Sequence, residues 1–257
     1  MSAPLAEHEN KIMTYPGLFD RINEVHTAVC GGDKNINGYS SEQIRLTERV
    51  HLDFVRAGAK LDTAAQARYK TIMMELAELT TTFAQNVLAD EGSFALDLFA
   101  EKDDLVGLPQ DLIDAMKQAA VEKGHSDGRC HATLSRSIVE PFLTNSDHRS
   151  HRETLWRAWV SRGTNPERDN TAIIRKILTL RLEQAQLHGY TNYAEYATAD
   201  TMAQKPSKVM DLLERVWTPA RASCLNEQEA LNEFVSKRGE SKYIFALLWC
   251  TVYDLDV

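Results

Sequence analysis

Apolar residues recur three and four positions apart along most of the chain, and this spacing places them on one face of an α-helix. Two long stripes of this kind follow each other, over Arg45–Leu61 and Ala64–Leu88. We expect the two helices to form an antiparallel hairpin that carries the core of the domain. The same pattern predicts that Phe54 in the first helix and Phe83 in the second are buried.

Polar residues and prolines at the ends of such stripes predict where helices begin. Ser40 and Thr63 each precede a glutamine by three residues, which is the pattern of a capping box. Pro109 and Pro206 stand where a first-turn proline opens a helix. Further helix starts are predicted at Asn145–Asp147, at Asn170 or Thr171, and at Thr191.

The stretch that begins at Pro206 has a clear helical face. Its apolar members are Val209, Leu212, Leu213, Val216 and Trp217. We predict that this face is buried, that Pro219 ends or kinks the helix, and that helical structure resumes as far as about Lys237. Trp156 and Trp159 lie on another apolar stripe, and all three tryptophans are predicted to be core residues rather than a platform for a ligand.

Two short segments alternate apolar and polar residues, as half-buried strands do. They are Ser93–Phe99 and His131–Val139, and we expect them to pair with each other, with Pro141 stopping the second. Residues 1–30 are predicted to be helical, with Leu18, Ile22 and Val25 on one face. The predicted fold class is therefore mostly α: a multi-helix array with a small two-strand β element.

The chain divides by pattern into two parts. Residues 1–238 carry the helical periodicity, whereas residues 239–257 are apolar without a helical or strand period. We therefore predict one helical domain over 1–238, followed by an out-of-pattern apolar tail. A tail of this composition is expected to pack poorly and to favour self-association.

Composition narrows the classes of partner and compartment. The chain has 257 residues, of which 43% are apolar and 26% charged, and a net charge of −8. That charge disfavours a nucleic-acid partner, since phosphate binding needs clustered Lys and Arg. The four cysteines show no CxxC spacing, which favours free thiols in a reducing compartment. The N-terminal residues lack a basic segment followed by an apolar core, so no signal peptide is expected, and the apolar run Tyr243–Tyr253 is too short for a membrane span. A cytoplasmic protein is predicted.

Five blocks of sequence resemble one family of enzymes. The first is GYTNYAEYATADTMAQKPSKV with the following LLERVWTPAR, between Gly189 and Arg221. The others are RLTERVHLDFVRAGAKL, LSRSIVEPFLT, RETLWRAWVSRG and ILTLRLEQAQLHGY. Together they resemble the zinc metallopeptidases of the thimet oligopeptidase, oligopeptidase A and peptidyl-dipeptidase group, most of all the bacterial peptidyl-dipeptidase branch. The resemblance implies a zinc-dependent peptidase that hydrolyses short peptides, in which the helical half is a wall around a deep channel.

The chemistry that the resemblance implies needs His-Glu-x-x-His on one helix, where two histidines bind zinc and the glutamate activates water. None of the eight histidines begins this motif. His148 and His151 share a helical face, but they are expected to be solvated side chains. Five further histidines are isolated along the sequence and are expected at the surface or with satisfied polar groups in the core, namely His26, His51, His125, His131 and His188.

No catalytic, cofactor-binding or metal-binding residue is therefore predicted in these 257 positions. Zinc belongs to the full-length family, and none is expected to bind this chain. Glycine-rich phosphate loops and GxSxG are absent from the sequence as well. A row of arginines, Arg149, Arg152, Arg157 and Arg162, either faces acidic groups or peptide C-termini in the channel, or forms a solvent-exposed basic face. We favour the exposed face.

The resemblance leaves three interpretations of the chain itself. It is expected to represent part of the helical half without the catalytic half, and to be inactive alone. A non-catalytic helical scaffold or interaction protein is the first alternative. The second is the remnant of a decayed gene, which the out-of-pattern residues 239–257 also suggest.

Overall fold

The computed structural model describes residues 8, 11–13, 15–31 and 38–237, and within them the fold is mostly α, as predicted. The helices, numbered in chain order, are α1 Leu18–Cys30, α2 Ser41–Arg56, α3 Thr63–Ser93, α4 Gln110–Glu122, α5 Arg136–Asn145, α6 Arg149–Val160, α7 Thr171–Leu187, α8 Tyr193–Thr198 and α9 Pro206–Lys237. Strands β1 Leu96–Leu98 and β2 Cys130–Ala132 and a 3₁₀ turn, Ala100–Lys102, complete the described elements. The predicted tail, residues 239–257, lies outside the described residues.

The chain divides into two compact units. The first unit consists of Met1–Ala77 with Leu178–Pro206, and the second of Glu78–Ile177 with Ser207–Val257. The expectation of one helical domain over 1–238 stays a prediction.

Three cysteines among the described residues, Cys30, Cys130 and Cys224, are free thiols.

In the first unit, α2 packs most closely against α1 rather than against α3. Phe54 is buried, as predicted, and its ring stacks on Phe19 with the ring centroids 6.4 Å apart. The predicted face does not hold throughout, because Leu46 and Val50 of α2 and Val25 of α1 are exposed. The predicted α2–α3 hairpin is therefore not the centre of the core.

The predicted capping box at the start of α2 is confirmed. Ser40 Oγ accepts a hydrogen bond from the Gln43 amide at 3.2 Å, and Gln43 Oε1 accepts from the Ser40 amide at 2.9 Å, which completes the capping box. The prediction for Thr63 is wrong by one residue. Asp62 precedes α3, and its carboxylate accepts from the Ala65 amide at 2.8 Å, because an aspartate at that position satisfies a free N–H.

Two other helix starts differ from the prediction, whereas α7 begins at Thr171 directly after Asn170, as predicted. His148, rather than Asn145–Asp147, directly precedes α6. Asn192, rather than Thr191, caps α8 and accepts from the Glu195 amide at 3.0 Å. Asn170 directly precedes α7, and its backbone carbonyl accepts the hydrogen bond of the Ile174 amide. Its side chain contacts α3.

The second unit holds the largest buried cluster among the described residues. Its fully buried members come from β1, β2, α4–α6 and the turn before α5, and include Leu98, Met116, Leu134, Phe142 and Leu155. Trp156 and Trp159 pack against it, so the prediction that they are core residues is confirmed. Burial of this many apolar side chains supplies the main favourable free energy of folding for the unit.

The predicted pairing of two short strands is confirmed. They pair antiparallel, with Leu96 opposite Ala132 and Leu98 opposite Cys130. The predicted extent of the second strand, His131–Val139, is wrong, because α5 begins at Arg136 and continues through Pro141.

The reason for this difference is the buried face of α5. Ile138, Val139, Phe142 and Leu143 are all buried in the core cluster. The burial of these four side chains on one side of α5 stabilises the helix. This stabilisation offsets the loss of the backbone hydrogen bond that Pro141 cannot donate.

The prediction for α9 is half right. The helix begins at Pro206 and ends at Lys237, as predicted. Pro219 lies inside it and does not end it, because the surrounding turns are exposed and water can reach the carbonyl that lacks a partner. The predicted burial of the face is wrong, since Leu212, Leu213 and Trp217 are exposed.

Candidate functional site

The densest group of ionisable and aromatic side chains in the first unit surrounds Tyr196. We call it the Tyr196 cluster; its members are Arg49, Arg56, Tyr69, His188, Tyr196 and Asp200. Helix α2 provides the arginines, α3 provides Tyr69, and the segment after α7 provides the rest. The Asn192 cap begins α8 one turn before Tyr196, and this helix start positions the Tyr196 ring in the cluster.

Arg56 is the centre of the hydrogen bonds in this cluster. Its guanidinium carbon lies 4.4 Å from the centroid of the Tyr196 ring, a cation–π geometry. One guanidinium nitrogen donates to the Tyr196 carbonyl and another to Asp200 Oδ2 at 3.3 Å. Arg49 donates to the same Asp200 oxygen at 2.6 Å. Asp200 therefore has two cationic partners.

The rings of the cluster are held in their neutral forms. The Tyr69 hydroxyl donates to the Arg56 carbonyl at 2.8 Å, and burial raises the pKa of Tyr69. Burial, followed by the neighbouring Tyr69, raises the pKa of Tyr196 to about 12. His188 meets the Tyr69 ring edge-on and stacks on Tyr196, each at 5.2 Å between centroids. Burial, and then the charge of Arg56, lowers the pKa of His188.

The arrangement connects segments of the chain rather than activating a nucleophile. The raised pKa of Tyr69 and of Tyr196 keeps both phenols protonated at neutral pH, so neither is a nucleophilic phenolate. Asp200 accepts hydrogen bonds from both Arg49 and Arg56, which ties helix α2 to the segment after α8. Sequence patterns did not indicate this cluster, although Tyr196 and Asp200 lie in the first family block. The available signal was Tyr196 and Asp200 themselves, which were interpreted as helix features only.

The histidine pair on α6 does not form a metal site. The His148 and His151 ring centroids are 5.0 Å apart. His148 Nε2 lies 2.7 Å from the Asp103 carbonyl, and His151 Nε2 lies 3.8 Å from Asp104 Oδ1. The prediction that both are solvated is wrong, because each is partly buried against the 3₁₀ turn.

Zinc does not fit any group of side chains in the described part of the chain. A zinc site takes at least three protein ligands among His, Cys, Asp and Glu. No three such residues converge within residues 8, 11–13, 15–31 and 38–237. No catalytic step is therefore routed through a metal held by these residues.

The arginine row on α6 is not a continuous basic face, which corrects that prediction. Arg152 is buried and donates to the Ser146 carbonyl. Arg162 pairs with Glu91, and its guanidinium carbon lies 3.4 Å from the centroid of the Trp159 ring. Arg157 pairs with Glu153 at 2.7 Å. Arg152 and Arg162 therefore contribute to packing, and Arg157 forms a surface ion pair.

His131 is a buried titratable group beside β1. It is 2% exposed, and His131 Nε2 lies 2.9 Å from Asp97 Oδ1. The contact is not aligned as a hydrogen bond, and both ring nitrogens lack a hydrogen-bond partner. Burial lowers the pKa of His131, although Asp97 opposes that effect. The expectation of a hydrogen-bonded core histidine is therefore wrong here.

Lowered histidine pKa values predict a loss of stability in mild acid. Burial is the first cause of the lowered pKa of His51, His131, His151 and His188, whose ordinary value is 6.5. The unfolded chain binds protons below about pH 6.5 while the folded chain does not, so the free energy of unfolding decreases as the pH falls. We expect a lower melting temperature at pH 5.5 than at pH 7.5, by about 2–4 °C for each kcal/mol lost.

This expectation has a matched pair of variants. His188→Gln should reduce the difference in melting temperature between the two pH values, because it removes one of the buried imidazoles. His8→Gln should leave the difference unchanged, since His8 is exposed. Equal melting temperatures of the wild-type chain at both pH values would contradict the expectation.

Comparison with known proteins finds one family model and several relatives that are similar to this chain. The model of Peptidase family M3 matches residues 142–255. The organellar oligopeptidase A of Arabidopsis thaliana chloroplasts and mitochondria is 33% identical over 219 residues, which cover 83% of this chain and 27% of that protein. The dipeptidyl carboxypeptidase of Escherichia coli K12 is 33% identical over 92% of this chain and 34% of its own length.

Oligopeptidase A of Haemophilus influenzae shows the same relation, with 30% identity over 91% of this chain and 34% of its own length. The chain thus spans about a third of the length of the curated relatives it matches. The similarity covers most of both described units, and it agrees with the resemblance of the five sequence blocks. The chain is thus similar to Peptidase family M3 over residues 142–255, and to these oligopeptidase and dipeptidyl carboxypeptidase relatives over most of its length.

Proposed function

We propose that this chain supplies a helical part of a zinc-dependent peptidase that hydrolyses short peptides. The observation that carries the proposal is the 30–33% identity over 83–92% of the chain to relatives named oligopeptidase A and dipeptidyl carboxypeptidase. The Tyr196 cluster supports it, because the cluster orders the very block that resembles the family. The chain's own contribution is positional, since its described residues hold no metal-ligand set.

The substrates in this proposal are peptides and not nucleic acids, given the net charge of −8. No described helix is long and apolar enough to cross a membrane. The cytoplasm is the proposed location, and the name of a second Arabidopsis thaliana relative, a probable cytosolic oligopeptidase A, supports it. The name of the organellar relative places that protein in chloroplasts and mitochondria instead.

The test is a chimera of the Escherichia coli dipeptidyl carboxypeptidase in which this chain replaces the aligned segment. If the chain is a functional part of the peptidase, the chimera should cleave a quenched fluorescent peptide, and a chelator should stop the cleavage. The purified chain alone should hold less than about 0.1 zinc per molecule by elemental analysis and should not cleave the peptide. These two results distinguish a structural contribution from a metal site within the chain.

The control chimera carries Arg56→Met, which removes the cation at the centre of the Tyr196 cluster. It should fold less well and lose most of the cleavage. A folded, zinc-loaded chimera without activity would contradict the proposal and would favour a non-catalytic helical scaffold. One zinc per molecule of the isolated chain, with chelator-sensitive cleavage, would overturn the assignment of a purely positional role.

A further inference from the structure

Helix α1 packs on α2 through a stack of aromatic rings in the first unit. Phe19, Asn23 and His26 of α1 are four and three residues apart and therefore lie on one face of the helix. All three contact His51 of α2. The His26 and His51 rings are nearly parallel, with 3.9 Å between their centroids and 16° between their planes. The Phe19 ring stacks on His51, with 5.6 Å between the centroids, and on Phe54 as well.

His51 fits this contact as a neutral ring. Its residue surface is 8% exposed, and His51 Nε2 lies 3.1 Å from Asn23 Oδ1. An amide oxygen accepts a hydrogen bond, and the neutral imidazole with its proton on Nε2 donates it. A second proton on the ring therefore adds a buried positive charge without a further bond to Asn23.

The surroundings of His51 oppose that second proton. Burial is the first cause, because an imidazolium loses its hydration in the closed contact. The charged groups that act on the ring are His26 of α1 and Lys60 in the segment after α2, and both are positive when protonated. Together these effects lower the pKa of His51 from its ordinary value of 6.5. Two imidazolium rings at the observed spacing would also repel each other directly.

We propose that the stacked pair of His26 and His51 is a pH-sensitive contact, which holds α1 on α2 at neutral pH and releases α1 in mild acid. Release hydrates His51 and separates it from His26, so the released form binds a proton more readily than the docked form. Docking is thus fully favourable above about pH 6.5 and weakens as the pH falls below that value. The effect is local to the α1–α2 contact, and it uncovers the Phe54 ring on which Phe19 stacks.

The size of the effect follows from the number of protons taken up. One proton bound on release changes the docking equilibrium by up to about tenfold for each pH unit below the ordinary pKa of the ring. The change stops growing once the docked His51 is protonated as well. Between pH 7.5 and pH 5.5 we therefore expect docking to weaken by about two- to tenfold.

The first test is hydrogen exchange of the full chain at pH 7.5 and at pH 5.5, followed by mass spectrometry. Labelling times are lengthened at the lower pH to match the chemical exchange rate of a free amide. Amides of α1 should lose protection by about two- to tenfold at pH 5.5, because they exchange through a local opening. Amides of α4 measure in parallel any loss of stability in the second unit.

Two variants remove the titrating rings while keeping a flat side chain. His26→Phe should reduce the loss of α1 protection at pH 5.5, because it removes the like charge beside His51, and it should leave the change at α4 as in the wild type. His51→Phe should abolish the pH dependence of α1. The control is His125→Gln, at a half-buried histidine of the second unit, and it should leave the α1 loss unchanged.

The second test is a proton NMR titration of the imidazole C2–H signals. The His51 signal should titrate below its ordinary pKa of 6.5, and its midpoint should rise in His26→Phe because one neighbouring positive charge is gone. A purely structural role of His26 in packing would leave this midpoint unchanged. The titration also decides the question if His51→Phe proves to be undocked at both pH values.

Several results would overturn the proposal. Equal protection of α1 at the two pH values in the wild-type chain would do so, as would an undiminished loss of α1 protection in His26→Phe. A loss of protection at α4 equal to that at α1 would show that the whole chain opens and not this contact. A His51 midpoint at or above pH 6.5 would remove the driving force for release.

Discussion

Phe142→Ala is expected to lower the free energy of unfolding of the second unit by about 3–5 kcal/mol. The Phe142 side chain is 0% exposed and lies in the centre of the cluster formed by β1, β2 and α4–α6. Removing the ring loses its burial and leaves a cavity in a closely packed interior. Urea unfolding followed by tryptophan fluorescence measures the loss, because Trp156 and Trp159 pack against the same cluster.

Phe83→Ala is the matched control, with the same change of side chain in the same unit. Phe83 is 37% exposed on α3, so less apolar area is lost, and alanine is the better helix former by about 0.5 kcal/mol. We expect a loss below about 1.5 kcal/mol. Equal losses at both positions would contradict the assignment of the core to the cluster around Phe142.

The two phenylalanines show which part of the fold the sequence could predict. Helix type and helix ends depend on residues within one or two turns, and the capping box of Ser40 and Gln43 is such a local signal. Helical periodicity also finds the apolar face correctly. It does not say where another element covers that face: Ile72 and Leu76 on the predicted α3 face are buried, whereas Phe83 on the same face and Trp217 on α9 are exposed.

The strand that became a helix has the same explanation. Locally, His131–Val139 alternates and Pro141 follows it, which favours a strand that stops. The structure instead buries Ile138 and Phe142 on one side of α5. That burial depends on β1 and α4, elements distant in sequence, and no local rule includes them.

The candidate sites were hidden for a related reason. The Tyr196 cluster pairs Arg56 with Asp200, 144 positions along the chain, so spacing could not reveal it. Sequence patterns find sites whose residues are adjacent on one helix, such as His-Glu-x-x-His. Such patterns miss arrangements that arise only when segments distant in sequence pack together. The resemblance to the family pointed to the block that contains Tyr196 and Asp200, but not to the contacts that these residues make.

Asp90 is another residue of this kind, and its carboxylate connects α3 to the loop after α6. It is 3% exposed. Asp90 Oδ2 accepts from the Gly163 amide at 2.8 Å, and Asp90 Oδ1 accepts from Arg168 at 2.9 Å. Gly163 has a φ of 72°, and a Cβ there would lie 2.8 Å from Asn170 Nδ2, so the loop approaches closely only because this residue is glycine.

Asp90→Ala is expected to destabilise the second unit by about 2–4 kcal/mol. The substitution leaves the buried Gly163 amide without an acceptor and Arg168 without its carboxylate. The expected loss is below that of a fully buried ion pair, because the Arg168 side chain is 32% exposed and water can solvate it. Glu91→Ala is the control: it removes a neighbouring carboxylate paired with Arg162, and since both partners are partly exposed it should cost less than about 1 kcal/mol.

The pH dependence gives an independent measurement of the same carboxylate. Burial acts to raise the pKa of Asp90, but hydrogen bonds from Asn165, Gly163 and Arg168 outweigh it and hold the pKa below its ordinary value of 3.8. The contribution of Asp90 is thus fully present above about pH 4, and it is lost as the pH falls below that value and the folded carboxylate takes up a proton. Urea unfolding at pH 7 and at pH 3 should therefore separate wild type from Asp90→Ala widely at pH 7 and less at pH 3. The same separation at both pH values would show that Asp90 contributes by packing and not by its charge.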